Sequence, residues 1–511
     1  MNLGDNLTAF QRWSSAYDRF KNASNALFDA STALCQSIDS SRVNLTISDV
    51  VEQTLLQIYN KLDSIDTIGA QIARSRAMLY RTVNMSATLV PVNTLPSEVL
   101  AQVFMHSMPE LEDSLGEIQI THQASVIASV CSRWRKLSIA TPSLWSCINV
   151  VRRDSLDHQR YFFKLVGIWL ERASGAPLHL YIRDAQRPDH AERELDLVSL
   201  LKPWLPRIAT LHLYESSLSL CESIIVAFFD HDGDVALNKL DVTCPGRGEI
   251  VPLRERISPF SLTQPTSVLQ GLNHLELGEM NLDDLLDFRE FVVILSNMRA
   301  LRTLVLQALM FFDEATGEYP EVTLPDFQKL VVRSYSSEEV LWNLVALLRP
   351  GPNKLVVRLS SIYSNPIGTA AFFQHANVTV LSIDNLVAGG ISGLTQSLDN
   401  CPHLQSLQLT MDSDIRGTLE VLTKEVQGGT VARCPGLRRL QLVTAHEMDS
   451  LAIEQLKKVA GTYSLTELDF NMHGSGRGPD DDPDTAALVK WLCQRVQKVW
   501  VNECLMDPNR Y

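Results

Sequence analysis

Leu404-Gln405-Ser406-Leu407-Gln408-Leu409 and Leu437-Arg438-Arg439-Leu440-Gln441-Leu442 are two copies of one pattern, L-x-x-L-x-L. With other apolar residues substituting, it is legible again at Ile208-Leu211-Leu213, Leu237-Leu240-Val242, Leu272-Leu275-Leu277, Leu301-Leu304-Leu306, Phe327-Leu330-Val332, Val378-Leu381-Ile383 and Leu465-Leu468-Phe470. Weaker units hold Leu355 with Val357 and Val499 with Val501, and Leu178-Leu180-Ile182 reads as an early one. Middle residues fall at 211, 240, 275, 304, 330, 355, 381, 407, 440, 468 and 499, in steps of 25 to 35 residues. A recurring step of that size marks a repeat architecture. Because a strand alternates faces, both residues of L-x-L point to one side and the residue between them to the other. One unit alone cannot bury its apolar face, whereas stacked units share a continuous core, with room for a helix between strands. Leu341-Trp342-Leu344-Leu347-Leu348 and Leu451-Ile453-Leu456-Val459 look like such helices. The expected fold class is therefore α/β: N-terminal helices, then a curved parallel solenoid of eleven or twelve strands over residues 151–511.

Upstream of the repeats the pattern is helical. Ile58, Ile65, Ile72 and Leu79 recur every seven residues, as one seam position of a helical hairpin or coiled coil would. The companion position reads Leu55, Leu62, Gly69 and Arg76, which weakens an extended coiled coil. Residues 1–90 are read as a helical region whose amphipathic helix packs, with self-association through the same seam the alternative. Residues 91–150 read as a small helical module ending in an edge strand. Leu95-Pro96-Ser97-Glu98 starts a helix, with proline in the first turn and an acid at the positive end of the dipole. Val99, Leu100, Val103 and Phe104 share a face. A second helix carries Val126, Ile127, Val130, Cys131, Trp134 and Leu137 on one stripe, and Leu144-Trp145 folds back on the bundle.

Composition narrows the function. The net charge of -14 argues against nucleic acid, and no apolar run reaches the ~18 residues of a membrane span. MNLGDNLTAFQRW lacks the order of a signal peptide, and the nine cysteines form no C-x-x-C pair, so reduced thiols in cytoplasm or nucleus are expected. Neither a G-x-S-x-G elbow, an H-E-x-x-H pair, a phosphate loop nor a zinc-spaced cluster occurs, so no enzyme chemistry and no cofactor are expected. Asp230, Asp232 and Asp234 open like a calcium loop but meet Val235 where glycine is needed, and read as a solvated turn. Gly474-Ser475-Gly476-Arg477-Gly478 leads into Pro479 and acids and reads as a loop.

Leu95-Pro96-Ser97-Glu98-Val99-Leu100, then Phe104, then Val130-Cys131-Ser132-Arg133-Trp134-Arg135, then Ala140-Thr141-Pro142-Ser143-Leu144-Trp145, resembles the F-box motif in order and spacing. With its long inter-helix loop, the stretch is similar to the large F-box class of mushroom-forming fungi. The strands and their period resemble leucine-rich repeats, although the Asn or Cys that usually follows L-x-L is missing. The resemblance implies a non-catalytic ubiquitin-ligase receptor, docked on the Skp adaptor and through it on cullin, with the repeats holding a protein substrate. Carried over residue by residue, it puts Leu95, Pro96, Val99, Leu100 and Phe104 at the first adaptor contact and Val130, Cys131 and Trp134 at the second. The alternative for each is the core of the bundle itself. An F-box scaffold outside the ligase and a plain repeat-containing binding protein share these features, and an enzyme is the third class.

On the expected concave face, Val305, Val331 and Val356 stand where other units have His212, Asp241, Glu276, Ser382, Gln408, Gln441 and Asp469. Arg333 and Arg358 follow two residues later. An apolar strip rimmed by arginines suits a protein interface, so these five residues are the expected substrate patch, a covering loop being the alternative.

Overall fold

In the computed structural model the described residues are 3–42, 49–84, 86, 88–108, 122–151, 156–183, 197–214, 218–229, 231, 235–243, 270–278, 288–309, 319–333, 338–360, 366–386, 390–411, 415–426, 429–444, 448–472, 483–502 and 504–506. Asp230, Asp232, Asp234, the glycine-rich segment from Gly474 and the loop around Gly116 lie outside them. Two compact units result, Met1–Pro96 and Ser97–Tyr511.

The first unit contains α1 (Leu3–Arg42) and α2 (Asp49–Asn84), followed by a 3-10 turn at Pro91–Thr94. The helical periodicity is realised, but the expected packing is not. Ile65, Ile72 and Leu79 on α2 are exposed, as are Phe10, Trp13, Phe20 and Phe28 on α1. The reason is visible in the seam. Where a two-stranded interface needs a second apolar position, α2 offers Gly69, with nothing within 4 Å of where its Cβ would be, and Arg76, which reaches over Tyr80 instead.

The second unit opens with α3 (Ser97–His106), α4 (Gln123–Val130) and α5 (Ser132–Ile139). Pro96 therefore precedes α3 instead of occupying its first turn. The single second helix of the sequence reading is two helices, because Cys131 is extended (φ -155°, ψ 170°) and caps α5, its sulfur accepting from the Trp134 N–H at 3.4 Å. A 3-10 turn at Pro142–Trp145 follows, then β1 (Cys147–Val151) and α6 (Leu156–Arg172).

From here strands recur as β2 (Leu178–Arg183), β3 (Ile208–Tyr214), β4 (Lys239–Thr243), β5 (His274–Gly278), β6 (Thr303–Gln307), β7 (Val322–Leu324), β8 (Lys329–Arg333), β9 (Leu348–Pro350), β10 (Leu355–Leu359), β11 (Val378–Leu386), β12 (Ser406–Met411), β13 (Thr423–Val426), β14 (Gly429–Ala432), β15 (Arg439–Thr444), β16 (Glu467–Met472), β17 (Lys498–Val501) and β18 (Cys504–Leu505). Thirteen of them join β1 in one fourteen-stranded sheet of the described residues, ordered β1-β2-β3-β4-β5-β6-β8-β10-β11-β12-β15-β16-β17-β18. Every pairing in it is parallel except β17 with β18. This is an α/β solenoid. β1 joins it at the edge, so the expected boundary at residue 150 falls inside a strand.

Both expected inter-strand helices are present, at Glu338–Leu347 and Ser450–Thr462, burying Leu341 and Leu344 in the first and Ile453, Leu456 and Val459 in the second. Leu348 leaves the first helix for β9, which pairs with β7. Asp449 caps the second, accepting from the Ala452 N–H at 2.7 Å. Backbone bonds tie each repeat to the next at the strand starts. Before several strands one carbonyl accepts two successive N–H groups of the next repeat: Asn273 O from Arg302 and Thr303, Gln405 O from Arg438 and Arg439, and Arg438 O from Thr466 and Glu467. Donors that would otherwise be stranded between repeats are thereby satisfied.

Candidate functional site

The helical module divides the expected adaptor residues in two. Leu100 and Phe104, four apart on α3, are buried, and the Phe104 ring meets Trp134 of α5 with centroids 4.8 Å apart. Val99 and Val103, also four apart, lie on the exposed side of α3, and Val126 and Val130 are exposed on α4. Cys131 and Trp134 are half-buried, as is Leu95, while Pro96 is exposed. Core formation thus consumes Leu100 and Phe104 and leaves four valines facing water, each worth about 1.5 kcal/mol or more if a partner covered it fully.

Behind this surface a ring stack joins the module to the solenoid. Trp145 is fully buried, and its indole N–H donates to Ser138 O of α5 at 2.7 Å. His122 stacks on Trp145 (5.4 Å, 10°) and meets Trp169 of α6 (4.7 Å), while the Arg172 guanidinium lies 4.5 Å above Trp145. His122 Nε2 is 2.8 Å from Cys147 O of β1, which fixes the proton there, and Nδ1 has no partner among the described residues. Burial lowers the His122 pKa to about 4; the Cys147 carbonyl opposes this and the Arg172 charge reinforces it. The imidazole is neutral.

On the open face of the sheet the register aligns outward residues into rows. Tyr181, His212, Asp241 and Glu276 share one row on β2 to β5. Tyr181 stacks on His212 (4.4 Å, 6°), and His212 Nδ1 is 2.9 Å from Asp241 Oδ2. His274 is 3.6 Å from Glu276, which also accepts from the Gln307 amide. Burial pushes the Glu276 carboxyl up, but the His274 hydrogen bond and charge, the Gln307 amide and the Lys239 charge outweigh it, so its pKa lies below the ordinary value. Farther along, Gln441 donates to Asp469 at 2.9 Å. The sequence marks these positions as polar, but their pairing depends on the register between strands.

The expected substrate patch is taken apart by that register. Val305 pairs with Val331, but Val331 pairs with Arg358, and Val356 pairs with Lys329 in the adjoining row. The middle residue of that unit is Val357, opposite Leu330, not Leu355. Leu355, Val357 and Leu359 are all inward and buried, so a slip of two residues turns no side chain over, and the pattern alone could not fix the frame. Val305 (6% exposed) and Val331 (4%) are buried, so the three valines do not make an open apolar strip. Arg333 and Arg358 are exposed as expected.

Among the described residues no cluster of three or more His, Cys, Asp or Glu could hold a metal, every cysteine is a free thiol, and no helix is long and apolar enough to cross a membrane.

No family model matches the chain, and no curated protein matches it. Among solved structures it is similar to the leucine-rich repeat-containing protein LegL7 from Legionella pneumophila, with 13% identity over 68% of this chain and 98% of that one and a TM-score of 0.33. At that score the likeness carries no argument, and the solenoid rests on its own strand order and register.

Proposed function

We propose that the chain is the substrate-recognition subunit of a Skp–cullin–F-box ubiquitin ligase. Its helical module docks the Skp adaptor through Val99, Val103, Val126 and Val130, and the open face of the solenoid binds a protein substrate. The observation that carries the reading is the division of the F-box-like motif into a buried pair, Leu100 and Phe104, and a set of exposed valines, immediately before a repeat array. Exposed apolar side chains at helical spacing fit a partner made of helices. The array itself does no chemistry. Holding a substrate beside the charged ubiquitin carrier raises effective concentration, and transfer belongs to other subunits. The free thiols suit a reducing compartment, cytoplasm or nucleus.

The test is co-purification of full-length protein with the Skp adaptor and cullin, comparing wild type with Val99→Ser/Val130→Ser. Both substitutions are at exposed positions and leave the core intact, whereas Leu100→Asp would bury an unpaired charge and unfold the module. Wild type is expected to retain both subunits and the folded variant neither. Adaptor without cullin would replace the reading with a scaffold outside the ligase; neither would leave a plain repeat-containing binding protein.

A further inference from the structure

On β8 and β10, at the centre of the sheet, Lys329, Arg333 and Arg358 stand on the open face with no carboxylate partner among the described residues. Among the described residues the Arg333 side chain has one polar contact, donating to the Gln307 side-chain oxygen at 3.3 Å, and Gln307 is itself bonded to Glu276, so the acid is reached through an amide. Among the described residues no ion pair forms to Lys329 or Arg358. Asp384 of β11 instead accepts from the Ser382 hydroxyl at 3.3 Å. In a chain of net charge -14, three neighbouring cations with no ion pair among the described residues are a local reversal of sign.

Their layout selects the occupant. Lys329 and Arg333 are four residues apart on one strand face, and Arg358 is opposite Val331 midway between them. Strand geometry then puts the first two about 13 Å apart and Arg358 about 8 Å from each. One tetrahedral anion cannot satisfy charges spread that far without drawing in all three side chains. An extended peptide with carboxylates on alternate residues repeats every ~6.6 Å on one face and matches the spacing.

We infer that Lys329, Arg333 and Arg358 bind an acidic segment of the partner protein in extended conformation, its carboxylates on alternate residues. This rests on the open face being the partner-binding surface. The experiment is fluorescence anisotropy of full-length protein with three labelled decapeptides: alternating Glu and Ser, alternating Lys and Ser, and a Ser/Gly peptide bearing one phosphoserine. The Glu peptide is expected to bind and to weaken with salt, the Lys peptide not to bind, and the phosphoserine peptide to bind more weakly than the Glu peptide. Arg333→Glu/Arg358→Glu, at exposed positions, should keep its thermal midpoint and lose about tenfold or more in affinity for the Glu peptide. Equal affinity of variant and wild type, tighter binding of the phosphoserine peptide, or no binding to wild type at low salt would each overturn the inference. Adaptor retention measured on the same variant keeps the two readings apart: a variant that loses the peptide but keeps the adaptor locates the defect on the open face.

Discussion

At the scale of single residues, His122 and Gly351 make the sharpest demands. Protonating His122 would place a charge on Nδ1, which has no acceptor among the described residues, beside the Arg172 guanidinium. Its folded pKa is about 4 against 6.5 in the unfolded chain, so between those values the unfolded chain holds a proton that the folded one refuses. Stability is therefore complete above pH ~6.5 and falls as pH drops toward 4, by about 3 kcal/mol from this group. Urea midpoints across that range should show the loss, and His122→Gln, which keeps a donor for Cys147 O, should flatten it; an unchanged slope would remove His122 as the cause. Gly351 is constrained by space. A Cβ there would stand 2.1 Å from Pro325 O, a backbone atom that cannot swing away. Gly351→Ala should cost about 2 kcal/mol or more in denaturant unfolding, through displacement of the turn that seats β9 against β7.

At the scale of elements, the break between α4 and α5 is decided by Cys131. A Cys cap accepts weakly, and serine in the same place accepts well. Cys131→Ser should leave thermal stability equal or higher, while Cys131→Ala should lose about 1 kcal/mol, because the Trp134 N–H is left without its cap. The sequence signal was ambiguous at this point. Val126, Ile127, Val130, Trp134 and Leu137 keep helical spacing across the break, and nothing in the apolar pattern marks an extended Cys. Leu144 and Trp145 were readable as buried because proline stops the helix just before them and two large apolar residues then have only the bundle to enter. The strands were readable for a stronger reason: in β2 and β12 buried and half-exposed residues alternate without exception. What alternation leaves undetermined is the frame between neighbours, and the run Leu355-Val356-Val357 is where that freedom misplaced the patch.

At the scale of the molecule, a solenoid distributes stability unlike a globule. Each strand of the sheet pairs only with its neighbours, so loss at one end is transmitted repeat by repeat. The two ends are closed differently. At the first strand, β1, the stacked His122 bonds the Cys147 carbonyl, whereas the last parallel strand, β17, is finished by antiparallel β18, with Val501 opposite Cys504. A chain ending at residue 482 would lose Leu488, Val489, Leu492, Val499 and Val501, all buried, and leave β16 as a bare edge. Those five side chains amount to roughly 10 kcal/mol of apolar burial, enough to loosen the adjoining repeat and invite edge-to-edge pairing. Limited proteolysis of that truncation should cut between β15 and β16 long before it cuts between residues 122 and 183, and the shortened protein should aggregate at concentrations the full chain tolerates. Simultaneous cleavage at both ends would instead show that the array unfolds as one cooperative body, and the nearest-neighbour account of its stability would have to be given up.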